Sequence, residues 1–392
     1  MPTLPPEARL LFLALRPEAG ARAAALADLL ASRLDWRLVG HLAEREKLLP
    51  ILWNNLRDHA SAIPATIREA LHRQSAVTEF RMVMTEAALQ RVIETLDAEG
   101  IRVMLLKGAA VATTVYPSFA QRPMGDFDVL VDPAEARRAW EVLREEGWGL
   151  EVEGGDEFYE HLHHLPGLLD PGGLKLVLEI HRSMLPWGGP FPLDESELWR
   201  DARAIRVGAT TAWVPSDAHQ LLHLSTHLAW SHMFGGIGRT VRDVAALDAA
   251  RAIDWEAFAE LANRTRAGTS AYWTLSLAKL LMDVPIPAPV MRCLRPRPAW
   301  LPPRLLERAY LTTGLLSACP SVHVARWLWS AGIRPRRSGH GAFRPWHTNE
   351  LFKKVFHQEL KRGLGERLMG QVHAASRWWK FVRGVGSPRP VL

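Results

Sequence analysis

Apolar residues recur at three- and four-residue steps from Pro5 to Asp97, first in LLASRLDWRLVGHLAEREKLLPILWNNL and again in EFRMVMTEAALQRVIETLDAEG, and that period predicts a run of amphipathic helices. Gly100 supplies the left-handed cap that ends the second run. At residue 101 the period changes. IRVMLL (101–106) and FDVLV (127–131) are short, apolar runs of a length that suits buried strands. Between them, KGAAVATTVYPSFAQRPMGD has an Ala-rich half suited to a short helix, and Pro117 and Pro123 suit a loop. PAEARRAWEVLREEGW then reads as an amphipathic helix. YEHLHHLPGLLD and LKLVLEIHRSM read as two further strands joined by a turn at Pro171-Gly172-Gly173.

Helical periodicity returns from Ser216 in DAHQLLHLSTHLAWSHMF, TVRDVAALDAARA, DWEAFAELANRT and TSAYWTLSLAKLLMD. Pro285, Pro287 and Pro289 break the pattern, 291–348 is rich in Pro and Arg, and a further helix is predicted over 349–383. The predicted fold class is therefore α+β. A helical region (1–95) precedes a small mixed-sheet core (96–212), followed by a helical domain (213–290) and a basic Pro-, Arg- and Trp-rich region (291–392) ending in a helix. The chain contains no internal repeat.

Composition narrows the class. With 392 residues, 48% hydrophobic and 23% charged, the chain can bury a substantial core, which excludes disorder and membrane embedding. Cys293 and Cys319 are too few and too far apart for a disulfide framework or a paired metal-ligand motif, so a reducing compartment, the cytoplasm, is expected. No window is long and apolar enough for a membrane span, and no secretion signal is present. The net charge of +6 comes mostly from Arg and suits an anionic ligand. Arg292, Arg295, Arg297, Arg304, Arg308, Arg334, Arg336 and Arg337 interleave with Trp and Phe near the C-terminus. They could hold nucleic acid or an anionic membrane surface; the simpler reading is a solvated face.

The chemistry gathers around the second predicted strand. Asp126 and Asp128 stand two residues apart, so their side chains leave the same face and can converge on one cation. Two neighbouring carboxylates in an apolar strand repel and lose hydration, a cost that a divalent cation offsets. Glu179, in LVLEIH, carries the same cost and would join them from an adjacent strand, making three acids for two metal ions. Lys107 and Gly108 lie where the first strand gives way to a helix, whose free N–H groups suit phosphate oxygens, and Gly108 permits close approach. Arg122 could add a bidentate phosphate contact.

On these residues, LLKGAAVATTVYPSFAQRPMGDFDVLV resembles the signature of the uncharacterised nucleotidyltransferase family within the polymerase-beta-like superfamily. Gly108 matches the turn after the first strand, Asp126 and Asp128 the Asp-x-Asp strand, and Glu179 the third acid. Glu179 with His181 is similar to the family's acid-x-His strand, while HLSTHLAWSH and TVRDVAALDAARAIDWEAFAELA look like its helical region. The resemblance covers about residues 80–265. It implies magnesium or manganese as cofactor, an NTP, expected to be ATP, as substrate, and release of pyrophosphate as a nucleoside monophosphate passes to a hydroxyl. The acceptor stays open among a protein side chain, a modified peptide, a small molecule and an RNA end. Ala109 departs from the Gly or Ser that many superfamily members place after the turn Gly; it keeps the backbone donor and removes a hydroxyl. That departure and the basic C-terminal region motivate an alternative, a non-catalytic nucleotide- or RNA-binding regulator.

Other polar groups have bland readings. His219, His223 and His227 fall on one helical face with His232 following, and a zinc site is the sharp reading; packed, hydrogen-bonded histidines are the commoner one. His161, His163 and His164 form a second cluster that could face the nucleotide. Asp243, with Arg239 and Arg242 nearby, could close the helical region over the site, although ion pairing on a helix surface is the ordinary account. Trp378 and Trp379 beside Lys380 and Arg383 could stack on bases or pack in a core.

Overall fold

The computed structural model describes residues 4–16, 22–151, 162–187, 190–251, 253–296 and 303–316, with 328 and 332. The chain opens with five helices, α1 (Pro6–Leu15), α2 (Arg22–Leu30), α3 (Trp36–Arg45), α4 (Leu49–Leu56) and α5 (Ala65–Ala98). Asp35 starts α3 by accepting from the N–H groups of Arg37 and Leu38, as an N-cap carboxylate does. The long α5 ends where the cap was expected: Gly100 has φ +71, and the Ile101 N–H bonds back to the Leu96 carbonyl at 2.9 Å.

Seven strands follow, interrupted by helices: β1 (Met104–Leu105), α6 (Lys107–Thr114), β2 (Asp126–Leu130), α7 (Ala136–Glu145), β3 (Gly149–Leu150), β4 (Leu168–Leu169), β5 (Val177–His181), α8 (Glu195–Arg200), β6 (Arg203–Val207) and β7 (Thr210–Val214). They form one mixed sheet in the order β3-β4-β5-β2-β1-β7-β6. β2 with β5 and β1 with β7 run parallel, and the remaining neighbours are antiparallel. The architecture is thus α+β, as the sequence predicts, with shorter strands. The 101–106 run supplies only two strand residues because Leu106 already caps α6, its N–H bonding to the Asp128 carbonyl at 3.0 Å. The 159–170 run supplies β4 and a single bridge from His164 to His181. The β6–β7 hairpin lies outside the predicted elements; its signal is the polar-apolar alternation broken by Gly208, which turns at φ +60.

After the sheet come α9 (Asp217–Thr226), a π-helical turn (His227–Ser231), α10 (Ile237–Ala250), α11 (Trp255–Arg264), α12 (Gly268–Met282), α13 (Ala288–Leu294) and α14 (Pro303–Tyr310). Two apolar cores result. One joins Phe127, Val129, Leu178 and Ile180 of the sheet to Ile93 and Leu96 of α5 and Leu143 of α7. The other joins Leu10 and Leu52, before the sheet in the chain, to Leu221, Val244 and Leu277 after it. Helices from both ends of the chain therefore pack as one layer, against the sheet face that carries the acidic residues.

The predicted 349–383 helix, with Trp378, Trp379, Lys380 and Arg383, lies outside the described residues, as do Arg297, Arg334, Arg336, Arg337 and Cys319. Arg292, Arg295 and Arg304 are exposed. No helix among the described residues is long and apolar enough to cross a membrane.

Leu178 is fully buried beneath the acidic face, within the strand that carries Glu179. Leu178→Ala is expected to lower unfolding free energy by about 2–5 kcal/mol, read as a shifted denaturant midpoint with an unchanged slope.

Candidate functional site

The site is set by the register of two parallel strands. Asp126 pairs with Val177, Asp128 with Glu179 and Leu130 with His181, so Asp126, Asp128, Glu179 and His181 leave one face. The alternating residues Phe127, Val129, Leu178 and Ile180 are all fully buried on the other. Asp126 is exposed at the start of β2, whereas Asp128 is 4% exposed. Asp128, Glu179 and His181 offer ligand atoms all within 4.8 Å of one another, the group among the described residues that could hold a metal ion.

Two cationic groups already balance these acids. Lys107 Nζ donates to Asp128 Oδ1 at 2.6 Å. The His181 Nε2–H donates to the same oxygen at 2.9 Å and to Glu179 Oε2 at 3.3 Å. Burial pushes the Asp128 carboxyl up, but the Lys107 ammonium and the His181 imidazole outweigh it and hold the group well below the usual carboxylate range. Burial pushes Lys107 and His181 down, yet the facing acids raise both above their ordinary values. Lys107 begins α6 at φ +44, a left-handed conformation that costs a non-glycine residue roughly 1–2 kcal/mol. That backbone turn aims its amine back at β2.

Gly108 sits in the first turn of α6, with the Arg122 guanidinium beside it: a Cβ at Gly108 would lie 3.4 Å from Arg122 Nη1. Ala109 is 1% exposed within the apolar core, so its methyl group points away from the carboxylates. Arg122 does not stand alone. Its Nε donates to Asp243 Oδ1 at 2.7 Å and its Nη2 to Oδ2 at 2.7 Å, while Nη1 donates to the Pro123 carbonyl at 3.1 Å. Tyr116 donates a further 2.7 Å bond to Asp243, which is fully buried. Asp243 thus ties α10 to the loop before β2, which replaces the surface ion pairing expected from its neighbours Arg239 and Arg242.

The histidines divide. His219 bonds Ser216 Oγ at 2.8 Å near the start of α9, a packing role. His223 and His227, one and two turns on, lie within electrostatic reach of Lys107 and Asp128. The π turn then does what an α-helix cannot. His232 N–H bonds the His227 carbonyl at 3.0 Å, and the two rings meet with Nε2 atoms 2.8 Å apart; on an α-helix, residues five apart would diverge by about 140°. His163 and His164 pack on His181, with ring centroids 5.1 and 5.5 Å away; His161 lies outside the described residues. Burial drives His163 and His223 down and keeps them neutral.

A family model described as an uncharacterised nucleotidyltransferase matches residues 32–283, from just before α3 to the end of α12. No curated protein matches the chain.

Two outcomes follow from this geometry. Arg122→Met leaves Asp243 buried beside Tyr116 without its cation and is expected to cost about 3–5 kcal/mol; adding Asp243→Leu should restore much of the loss in a double-mutant cycle. His223 has a folded pKa below its unfolded value near 6.5, so the unfolded chain binds the extra proton. Stability is therefore expected to fall as pH drops below about 6.5, at up to about 1.4 kcal/mol per pH unit for that group. Denaturation of His223→Gln between pH 7 and 5 should show a shallower fall.

Proposed function

The chain belongs to the uncharacterised nucleotidyltransferase family, and we propose that it transfers a nucleoside monophosphate from an NTP to a hydroxyl of an acceptor in a magnesium- or manganese-dependent reaction. The observation that carries this reading is the β2–β5 register, which sets Asp128 opposite Glu179 with Asp126 on the same face at the exposed strand end.

The donor set fits the cation. Carboxylate oxygens suit magnesium or manganese better than a softer metal, and the Asp126 carboxylate has no hydrogen-bond or ion-pair partner among the described residues. Asp126, Asp128 and Glu179 would hold the ions, and His181, whose Nε2–H faces Asp128 and Glu179, would orient those two carboxylates. When bound, the cations would lower the pKa of the attacking hydroxyl and neutralise charge on the pyrophosphate leaving group.

In the reaction, the acceptor oxygen forms a bond to the α-phosphorus, and the bond between that phosphorus and the α–β bridging oxygen breaks. The acceptor proton passes to Glu179, the half-buried acid of the group. Lys107 keeps Asp128 ionised, so that it stays an anionic ligand near neutral pH. α6 presents the N–H groups of Gly108 and Ala109 toward phosphate, and the Ala109 methyl, packed in the core, takes no part. Arg122 supports the site by bracing the loop before β2 through Asp243. Most of the catalysis would come from positioning and charge neutralisation.

The acceptor is a protein, a modified peptide, a small molecule or an RNA end. With a panel of such acceptors, labelled NTPs and magnesium, wild-type protein is expected to release pyrophosphate. Asp128→Asn and Asp126→Asn should reduce the rate by at least on the order of 100-fold. Equal turnover by Asp128→Asn would overturn the reading. Retained nucleotide binding with no pyrophosphate from any acceptor would favour the non-catalytic regulator.

A further inference from the structure

We propose that Lys47 and Arg239, both outside the sheet, form an anion subsite beside Asp126 that takes the β- and γ-phosphates of the nucleotide, so that the helical layer holds the triphosphate while the sheet holds the metals. The assignment of the anion to an NTP rests on the nucleotidyl-transfer reading above.

The two cations come from before and after the sheet in the chain and are linked by a bond between their neighbours. Lys47 follows α3 at φ +57. Its Nζ lies against Gly125, where an added Cβ would stand 3.5 Å from it, and Gly125 immediately precedes Asp126. Arg239 sits in the first turn of α10. The Gly238 N–H donates to Glu46 Oε2 at 2.8 Å, so the residue before Arg239 is bonded to the residue before Lys47. Glu46 also accepts from Arg45 at 3.1 Å, which leaves the nearest buried acid engaged elsewhere.

Neither the Lys47 ammonium nor the Arg239 guanidinium has a hydrogen-bond or ion-pair partner among the described residues, though both residues are half-buried. Burial lowers both, and each feels further cations: Arg239 acts on Lys47, and Arg122 acts on Arg239. Asp126 attracts both, and Asp243 and Glu46 also attract Arg239 at longer range than an ion pair. A cavity of about 350 Å³ opens on the Lys47 side of this point, with Lys47, Gly125, Thr78, Arg81 and the exposed Glu44 in its wall. Half-buried cations that repel one another and make no direct ion pair cost free energy that an arriving anion would offset. A polyphosphate is the anion that suits the place. It carries several charges to match several cations, it accepts the Arg fork, and it would bridge from these cations to the metal-binding carboxylates next door. Arg239 itself lies in the first turn of α10, which opens at Gly236 with φ +74 and no side-chain cap, so the positive end of that helix lies beside the guanidinium.

The test is isothermal titration of the full chain with inorganic tripolyphosphate in the absence of divalent metal, with no turnover involved. Wild type is expected to bind. Lys47→Gln and Arg239→Gln should each weaken binding at least 10-fold, Arg239→Lys should retain part of it, and Arg138→Gln, an exposed change on α7, should leave it unchanged. ATP should compete with tripolyphosphate. Because an unpaired charge is being removed, Tm should hold or rise in the two Gln variants. Absence of tripolyphosphate binding, undiminished affinity in both Gln variants, or weakened binding together with a lowered Tm would overturn the subsite. ATP and tripolyphosphate binding at the same time would overturn its assignment to the nucleotide. Failure of pyrophosphate release, with tripolyphosphate binding still lost in the variants, would sink the transfer reading and leave the subsite standing.

Discussion

Parallel pairing of β2 with β5 brings Asp128 directly beside Glu179, and the surrounding structure is arranged to bear that repulsion. Two carboxylates on neighbouring strands, one of them almost fully buried, would gain protons if left alone. Lys107 and His181 prevent this from either side, Lys107 from the start of a helix held in a left-handed turn and His181 from two residues along β5. The same strands bury Phe127, Val129, Leu178 and Ile180 on their opposite face. A register slip of one residue would exchange the two sets, losing the core and the site together. Stability and chemistry therefore rest on one strand pairing.

A second constraint joins this sheet to the helices. Arg122 and Asp243 are far apart in sequence and make a buried, bidentate pair braced by Tyr116. Such a pair contributes little net stability compared with an apolar contact, but losing either partner is costly. Its effect is to fix where α10 lies relative to the loop entering β2. The Glu46–Gly238 bond does the same between the N-terminal helices and the start of α10. The two links border the acidic face and leave Lys47 and Arg239 at its rim.

The unpaired charges have a common physical meaning. Acids converge on one face, balanced only in part by Lys107 and His181, and Lys47 and Arg239, whose side chains make no ion pair among the described residues, stand near Asp126. Under the proposed function, a nucleotide with divalent metal would satisfy both at once, its phosphates meeting the cations and its metals the acids.

The sequence by itself determined most of the helices, the central strands and the position of three acids within them. The change from helical to strand periodicity at residue 101, the Asp-x-Asp spacing at 126 and 128, and the isolated Glu179 in an apolar run are local patterns, and local patterns survive without knowledge of the fold. The match of the family model to 32–283 agrees with the resemblance read from them. Where sequence reading fell short, the reason was distance or an irregular backbone. The alternating pattern of the β6–β7 hairpin was visible, but its place at the sheet edge depends on pairing with β1 across more than a hundred residues. His227 and His232 meet only because a π turn replaces α-helical spacing. Arg122 read as a phosphate donor because nothing near it in the chain announces Asp243, and Lys47 gave no signal at all. Partners of buried charges are chosen by packing between distant segments, so only the tertiary structure could decide which cations are paired within the protein and which make no ion pair among the described residues.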